Sequence, residues 1–236
     1  MNESAIIAME ITFNILYLIL IYALVIMMYR RYRSGSKGNG NAPFLLAFLL
    51  LAIGDTGHVG FRIAAFVLGG LEVNEQLVGL GALATAITVT FFYMLMAQVL
   101  RARSGKRKNH VFLTVVILGV IRLVFMILPG NNWGQIVPPM GFSYGRNSFL
   151  TAMGIIVAVS FLQAASHELR SLYRAAAVCV FISFAFYIPV ILFIRSVPML
   201  GMLMIPKTLA YVALAVIGYR KLFSIGAVAT DPANSD

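Results

Sequence analysis

The chain has 236 residues, of which 61% are hydrophobic and 11% are charged, and its formal net charge is +10. Its apolar residues form long blocks rather than the short stripes of a soluble amphipathic helix, which excludes a sizeable soluble domain. The basic residues lie at alternate ends of these blocks, a distribution that argues against nucleic acid as the partner.

Seven blocks reach the roughly 20 apolar residues that a helix needs to cross a membrane. In chain order the predicted spans are Ala5 to Met28, Pro43 to Gly69, Gln76 to Leu100, His110 to Leu128, Asn147 to Ala165, Tyr173 to Ile194 and Pro198 to Tyr219. The blocks lack the alternation of barrel strands, so the sequence predicts an all-α polytopic membrane protein with seven transmembrane helices. We expect residues 1–225 to form a single transmembrane domain and residues 226–236 a disordered cytoplasmic tail.

The positions of the Lys and Arg residues predict the orientation of these helices. Thirteen of the eighteen flank the helices on one side: Arg30, Arg31, Arg33, Lys37, Arg101, Arg103, Lys106, Arg107, Lys108, Arg170, Arg174, Arg220 and Lys221. By the positive-inside rule this side is the cytoplasm, which leaves the N-terminus outside. The first helix lacks a basic n-region and a cleavage site, so it is predicted to be retained. We therefore expect a multi-pass protein of the cytoplasmic membrane.

The second helix carries the segment GDTGHVGFR, which combines three ionisable side chains with three glycines. Asp55, His58 and Arg62 are spaced at i, i+3 and i+7 and therefore share one helix face. The glycines let another backbone or a ligand approach this face closely. A rise of about 1.5 Å per residue puts Asp55 near the midplane, with Arg62 close enough to the outer interface to reach water.

Two further cations, Arg122 and Lys207, are also predicted near the midplane, in helices four and seven. Charges inside a membrane helix cost roughly 2.5 to 3.5 kcal/mol each and tend to face the bundle interior, where they mark functional sites. Together with Asp55 they leave one positive charge in excess. An anionic ligand, a neutral Lys207 or the approach of Glu10 would resolve this excess, although Glu10 is expected near the outer helix end. The structural alternative is that Asp55 pairs with one of the cations and only holds the bundle together.

Helices six and seven each contain a proline beside aromatic residues. Helix six carries SFAFYIPVILF, with Tyr187 two residues before Pro189, and helix seven carries MIPKTLAY, with Pro206 next to Lys207. A proline removes a backbone hydrogen bond, so we expect both helices to bend at similar depth. Tyr187 and Tyr211 then join the candidate site.

The segment PGNNWGQIVPPMGFSYGR, from Pro129 to Arg146, forms the longest outer loop. Two interpretations are open. The loop folds over an outward-facing cavity as a lid, or Trp133 and Tyr144 anchor it at the membrane interface, where such aromatic rings are favoured.

Three resemblances follow from these motifs. The segments GDTGHVGFR, FYIPV and GMLMIPKTLAY resemble those of a group of uncharacterised bacterial membrane proteins along most of the chain. The seven-helix plan, with a lysine midway along helix seven, resembles that of the rhodopsins, which implies retinal bound to Lys207 through a Schiff base. In that case Asp55 would be the counterion, since helix three has no acidic residue. The Gly-Asp pair resembles that of lysoplasmalogenase-like enzymes, which implies an intramembrane lipid hydrolase.

The preferred interpretation is a bacterial membrane receptor, sensor or carrier that binds a small anionic or amphiphilic ligand inside the bundle. The candidate ligand-binding residues are Asp55, His58, Arg62, Arg122, Tyr187, Lys207 and Tyr211. No nucleophile motif or metal-binding motif is present, so binding is favoured over catalysis. A retinal protein and a lipid hydrolase remain as alternatives.

Overall fold

Seven α-helices dominate the computed structural model, which describes residues 3–104, 108–164 and 170–223. They are α1 (Glu3–Arg33), α2 (Asn41–Val67), α3 (Glu75–Ser104), α4 (Asn109–Ile127), α5 (Met140–Leu162), α6 (Arg170–Phe193) and α7 (Met204–Leu222). Each is long and apolar enough to cross a membrane, and no strand occurs in the described residues. The predicted number and type of helices is therefore confirmed. The predicted tail, 226–236, and two basic residues of the third loop, Lys106 and Arg107, lie outside the described residues.

The start of α5 differs from the prediction. The helix begins at Met140, directly after Pro139, whereas hydropathy placed its start at Asn147. The additional turns contain Gly, Ser, Tyr and Arg, which lower the hydropathy without breaking a helix. As a result Arg146, expected in the outer loop, belongs to the helix.

Helix seven is also built differently from the expectation. A 3-10 helix, Pro198–Leu203, precedes α7, and Pro206 falls in the first turn of α7. Proline is tolerated in a first turn because backbone N–H groups there lack an intrahelical partner. The irregular part of this span is therefore the 3-10 segment rather than a bend at Pro206. In α6, Pro189 does lie inside the helix, as predicted.

The helices form a ring in chain order, closed by contact between α1 and α7, and α3 also touches α5. The packing of α2 on α3 is the most extensive between any two helices of the described residues. A Cβ built on Gly54 would overlap the Thr88 side chain, and one built on Gly57 would lie 3.0 Å from the Cβ of Ala84. Thr85 donates a hydrogen bond of 3.0 Å to the carbonyl of Gly54. These two glycines of the GDTGHVGFR segment thus admit a neighbouring helix rather than a ligand, whereas Gly60 faces open space.

Aromatic side chains fill the half of the bundle where α1, α3 and α7 end in arginines and lysines, here called the basic end. The ring of Phe92 meets those of Phe48 and Tyr211 edge to face, with centroids 5.4 Å apart in both pairs. Phe48 contacts Phe44 at 4.9 Å, and Phe44 contacts Phe223 at 6.4 Å. This aromatic column, Tyr211, Phe92, Phe48, Phe44 and Phe223, packs the core from mid-bundle to the basic end.

A buried asparagine joins three segments at the basic end. The side-chain amide of Asn41 donates to the carbonyls of Ser36 at 3.0 Å and Leu222 at 2.7 Å. Its carbonyl oxygen accepts a hydrogen bond of 2.8 Å from Arg103. The first loop and the ends of α3 and α7 are therefore tied together by one side chain.

Candidate functional site

A cavity of about 720 Å³ occupies the half of the bundle opposite the basic end. All seven helices contribute to its lining, through the first halves of α1, α3, α5 and α7 and the second halves of α2 and α6, with Arg122 from α4. This volume lies within the range of ligand pockets in proteins. The seven candidate residues all line it: Asp55, His58, Arg62, Arg122, Tyr187, Lys207 and Tyr211. Their role in ligand binding stays a prediction.

Asp55 is held by a tyrosine that sequence reasoning missed. The hydroxyl of Tyr17, on α1, donates to Oδ2 of Asp55 at 2.5 Å. Among the described residues, Asp55 forms no ion pair with Arg122 or Lys207, so the expected structural pairing is not found. Tyr17 lies in an otherwise apolar run, and only the rotation of α1 against α2 brings it to the carboxylate. Asp55 thus lines the cavity without neutralising either cation by direct contact.

Arg122 is almost completely buried, with 1% of its surface exposed. Its Nε donates to the carbonyl of Arg146 at 2.8 Å, and its Nη1 donates to the carbonyl of Ala86 at 2.5 Å and to the hydroxyl of Thr90. All of these acceptors are neutral. Hydrogen bonds lower the cost of burying the guanidinium, but they leave its charge uncompensated.

Arg146 is a cavity residue that the sequence did not single out. Its guanidinium lies over the ring of Trp133, 4.4 Å from the centroid, and its Nη1 donates to Asn131 at 3.4 Å. Trp133 also lines the cavity, and its indole N–H donates to the carbonyl of Met126 at 3.0 Å. The outer loop therefore forms part of the cavity wall through Trp133, and both interpretations of the loop stay predictions. The sequence of the loop does not indicate that it lines the cavity, because these contacts depend on how the loop folds back on the helices.

Lys207 faces the cavity from the first turns of α7. Its Nζ lies 4.2 Å from the ring centroid of Tyr187, whose hydroxyl donates to Asn147 at 2.9 Å. The α7 N-terminus is adjacent, since Met204 also lines the cavity. A helix N-terminus carries a partial positive charge, which adds to that of the lysine.

Tyr211 forms the floor of the cavity. Its hydroxyl shares a hydrogen bond of 2.9 Å with that of Tyr93, and its ring packs on Phe92. Tyr93 in turn stacks on Phe184 at 5.8 Å. Beneath this floor the aromatic column fills the interior towards the basic end.

Arg62 pairs with a carboxylate that was expected to be too distant from the charged cluster. The Nε of Arg62 lies 2.8 Å from Oε1 of Glu10, and both side chains are partly exposed. Both also line the cavity. The charges of Arg62 and Glu10 cancel. The net positive charge of the cavity therefore comes from the other lining residues.

His58 lines the cavity beside Asp55, but the two side chains share no hydrogen bond in the described part of the chain. Its Nδ1 is buried and has no hydrogen-bond partner there. A histidine that orients or deprotonates a water molecule needs hydrogen-bonded partners in reach. The hydrolase alternative, in which Asp55 and His58 act on a water molecule, stays a prediction.

The remaining charges give the cavity a positive character. With Glu10 and Arg62 paired, Arg122, Arg146 and Lys207 stand against the single carboxylate of Asp55 among the described lining residues. Sequence reasoning identified this excess but counted one cation fewer.

Comparison of the chain with protein-family models, curated proteins and solved structures gives no significant match.

Proposed function

We propose that this chain is a multi-pass protein of a bacterial cytoplasmic membrane that binds a small anionic or amphiphilic ligand in the cavity. The basic end faces the cytoplasm in this proposal, because thirteen of the eighteen Lys and Arg residues flank the helices on that side. The N-terminus is then outside, and the cavity lies in the outer half of the membrane.

The observation that carries the proposal is the set of three cations around one cavity. Among the described lining residues, Asp55 is the only carboxylate that is not already in an ion pair. Arg122 is satisfied by neutral acceptors. Lys207 contacts the ring of Tyr187, and Asp55 lies near enough to interact with its charge but forms no ion pair with it among the described residues. Charges held in a low-dielectric interior are stabilised by an opposite charge in contact. A bound anion supplies that charge.

A sensing role is favoured over transport by the packing below the cavity. The aromatic column fills the route from Tyr211 to Phe223 with ring contacts. A carrier has to open such a route in each cycle, whereas a receptor only has to shift the packing of α6 and α7 in response to the ligand. We therefore place receptor or sensor first and carrier second.

Native mass spectrometry of protein extracted gently from its own membrane tests the proposal. We expect a non-covalent anionic species on the wild-type protein that is lost on denaturation and depleted in the Lys207→Gln variant. Lys221→Gln, which changes an exposed lysine at the basic end, should retain it. Equal occupancy of the wild-type protein and the Lys207→Gln variant by every co-purified species, or no bound anion at all, would contradict an anion site.

Retinal binding is kept as a second candidate because the amine of Lys207 faces a cavity lined by Tyr187, Tyr211 and Phe184. In that case Lys207 would hold the chromophore covalently and the tyrosines would enclose it, while the bound group would supply light absorption. Borohydride reduction of the native protein distinguishes the two candidates. A mass increase trapped on Lys207 supports retinal, and anion binding retained by Lys207→Arg, which keeps the charge but not the amine, counts against it.

A further inference from the structure

Apart from the Glu10–Arg62 ion pair, the mouth of the cavity is apolar. It is formed by Met9 and Phe13 of α1, Ile194 after α6, and Met199 and Met202 of the 3-10 helix. Met199 is 76% exposed, and Met202 and Met9 are 44% and 39% exposed. Methionine side chains are flexible and polarisable, so they adapt to apolar chains of varied shape.

Three of the four lining cations, Arg122, Arg146 and Lys207, lie away from this mouth. Lys207 is in the first turns of α7, beside Tyr187 and Asn147, and Arg122 reaches the same region from α4 through the carbonyl of Arg146. The lining residues of α6 run from Ser183 to Ile194, which corresponds to roughly 16 Å along the helix. The cavity is therefore long, with a charged inner part and an apolar outer part.

We infer that the ligand is a single-chain anionic amphiphile, with its carboxylate or phosphate head at Lys207, Arg122 and Arg146 and its apolar chain along the methionine-lined mouth. This inference rests on the proposed function and narrows it. The inference depends on the difference in polarity between the two parts of the cavity. A small anion without a chain would leave the apolar outer part in contact with water. An apolar molecule without a head would leave the cations unpaired. The exposed methionines place the chain where it can enter from the outer leaflet.

Competition binding on the full chain in nanodiscs tests the inference. Tritiated hexadecanoate is the labelled probe, detected by scintillation proximity with empty nanodiscs as the blank. Unlabelled butyrate and hexadecyltrimethylammonium are the competitors, since the first has the head without the long chain and the second has the chain with the opposite charge. We expect butyrate to compete at least about 100-fold more weakly than unlabelled hexadecanoate, because each buried methylene adds to the affinity. We expect no competition by the cationic amphiphile.

Two pairs of variants separate the contributions of head and chain. Met202→Gln should weaken hexadecanoate binding by roughly tenfold and leave butyrate unchanged, because it makes only the mouth polar. Met27→Gln, at an equally exposed methionine of α1 outside the cavity, should change neither. Lys207→Gln should weaken both ligands, and Lys207→Arg should restore them.

The outcomes distinguish this inference from the proposed function. Butyrate that binds as tightly as hexadecanoate, or Met202→Gln with unchanged affinity, would overturn the amphiphile and leave the anion site intact. Equal competition by the cationic amphiphile, or no saturable binding of either acid, would overturn the anion site and the amphiphile together.

Discussion

The backbone carbonyl of Trp133 lies directly against Gly79 of α3, so closely that a methyl group on Gly79 has no room. This contact seats the outer loop on the bundle, and it places the indole where it lines the cavity and supports Arg146. Only a glycine in α3 permits the approach, because the obstructing atoms belong to the loop backbone rather than to a movable side chain.

The first prediction concerns this contact. Gly79→Ala should displace the loop, shift the fluorescence emission of Trp133 to longer wavelength and increase its quenching by acrylamide. Trp133 is the only tryptophan in the chain, so the signal is unambiguous. Gly141→Ala is the control, because a Cβ at Gly141 meets no atom within 4 Å. Identical spectra for the two variants would show that the loop does not depend on Gly79.

A second prediction concerns the packing of α2 on α3. Gly54→Ala should destabilise the protein by about 1 to 3 kcal/mol, because the new methyl group overlaps the Thr88 side chain. Gly60→Ala, on the same helix but facing open space, should be neutral or stabilise by up to about 1 kcal/mol. Thermal unfolding in detergent measures both changes. Truncation of Thr88 to alanine should recover part of the Gly54→Ala loss, and a failure to do so would assign the loss to another cause.

The third prediction concerns the hydrogen bond between Tyr17 and Asp55. Tyr17→Phe should lower the free energy of unfolding by about 1 to 3 kcal/mol, because it leaves the carboxylate without its donor. Tyr22→Phe removes a similar hydroxyl from a more exposed contact with Thr56 and should cost less. Equal losses for the two variants in chemical denaturation would contradict the importance of the bond between Tyr17 and Asp55.

The fourth prediction concerns the ion pair between Glu10 and Arg62. Glu10→Gln should cost less than about 1 kcal/mol in stability, because the pair is partly exposed. It should also tighten anion binding at low ionic strength, since it releases Arg62 as a further cation at the cavity. The gain should disappear at high salt through screening. Glu72→Gln, outside the cavity, should show no such change, and unchanged hexadecanoate affinity in Glu10→Gln would contradict the charge argument.

The number of helices could be predicted from sequence because apolar length is a local property. The ends of the helices could not all be predicted, since hydropathy measures how side chains partition between water and an apolar phase and does not measure helix formation. The turns from Met140 to Arg146 are polar enough to be assigned to a loop, yet they are helical. The 3-10 segment before α7 has no distinct hydropathy pattern either.

The candidate site was also only partly predictable from the sequence. Intramembrane charge alone indicated Asp55, Arg122 and Lys207, and the structure places all three at one cavity. Their partners depend on contacts between helices that are remote in sequence, such as Tyr17 with Asp55. The rotation of each helix about its axis determines these contacts, and a single sequence does not encode that rotation in a readable pattern.

Asn41 has a consequence for how the bundle can move. Its hydrogen bonds to Ser36, Leu222 and Arg103 fasten three segments at the basic end, whereas exposed methionines line the mouth at the other. Outward tilting of the helices at the mouth would leave the hydrogen bonds of Asn41 intact. Backbone amides should then exchange with deuterium slowly near Leu222 and rapidly near Met202, so that the protein has one rigid end and one compliant end.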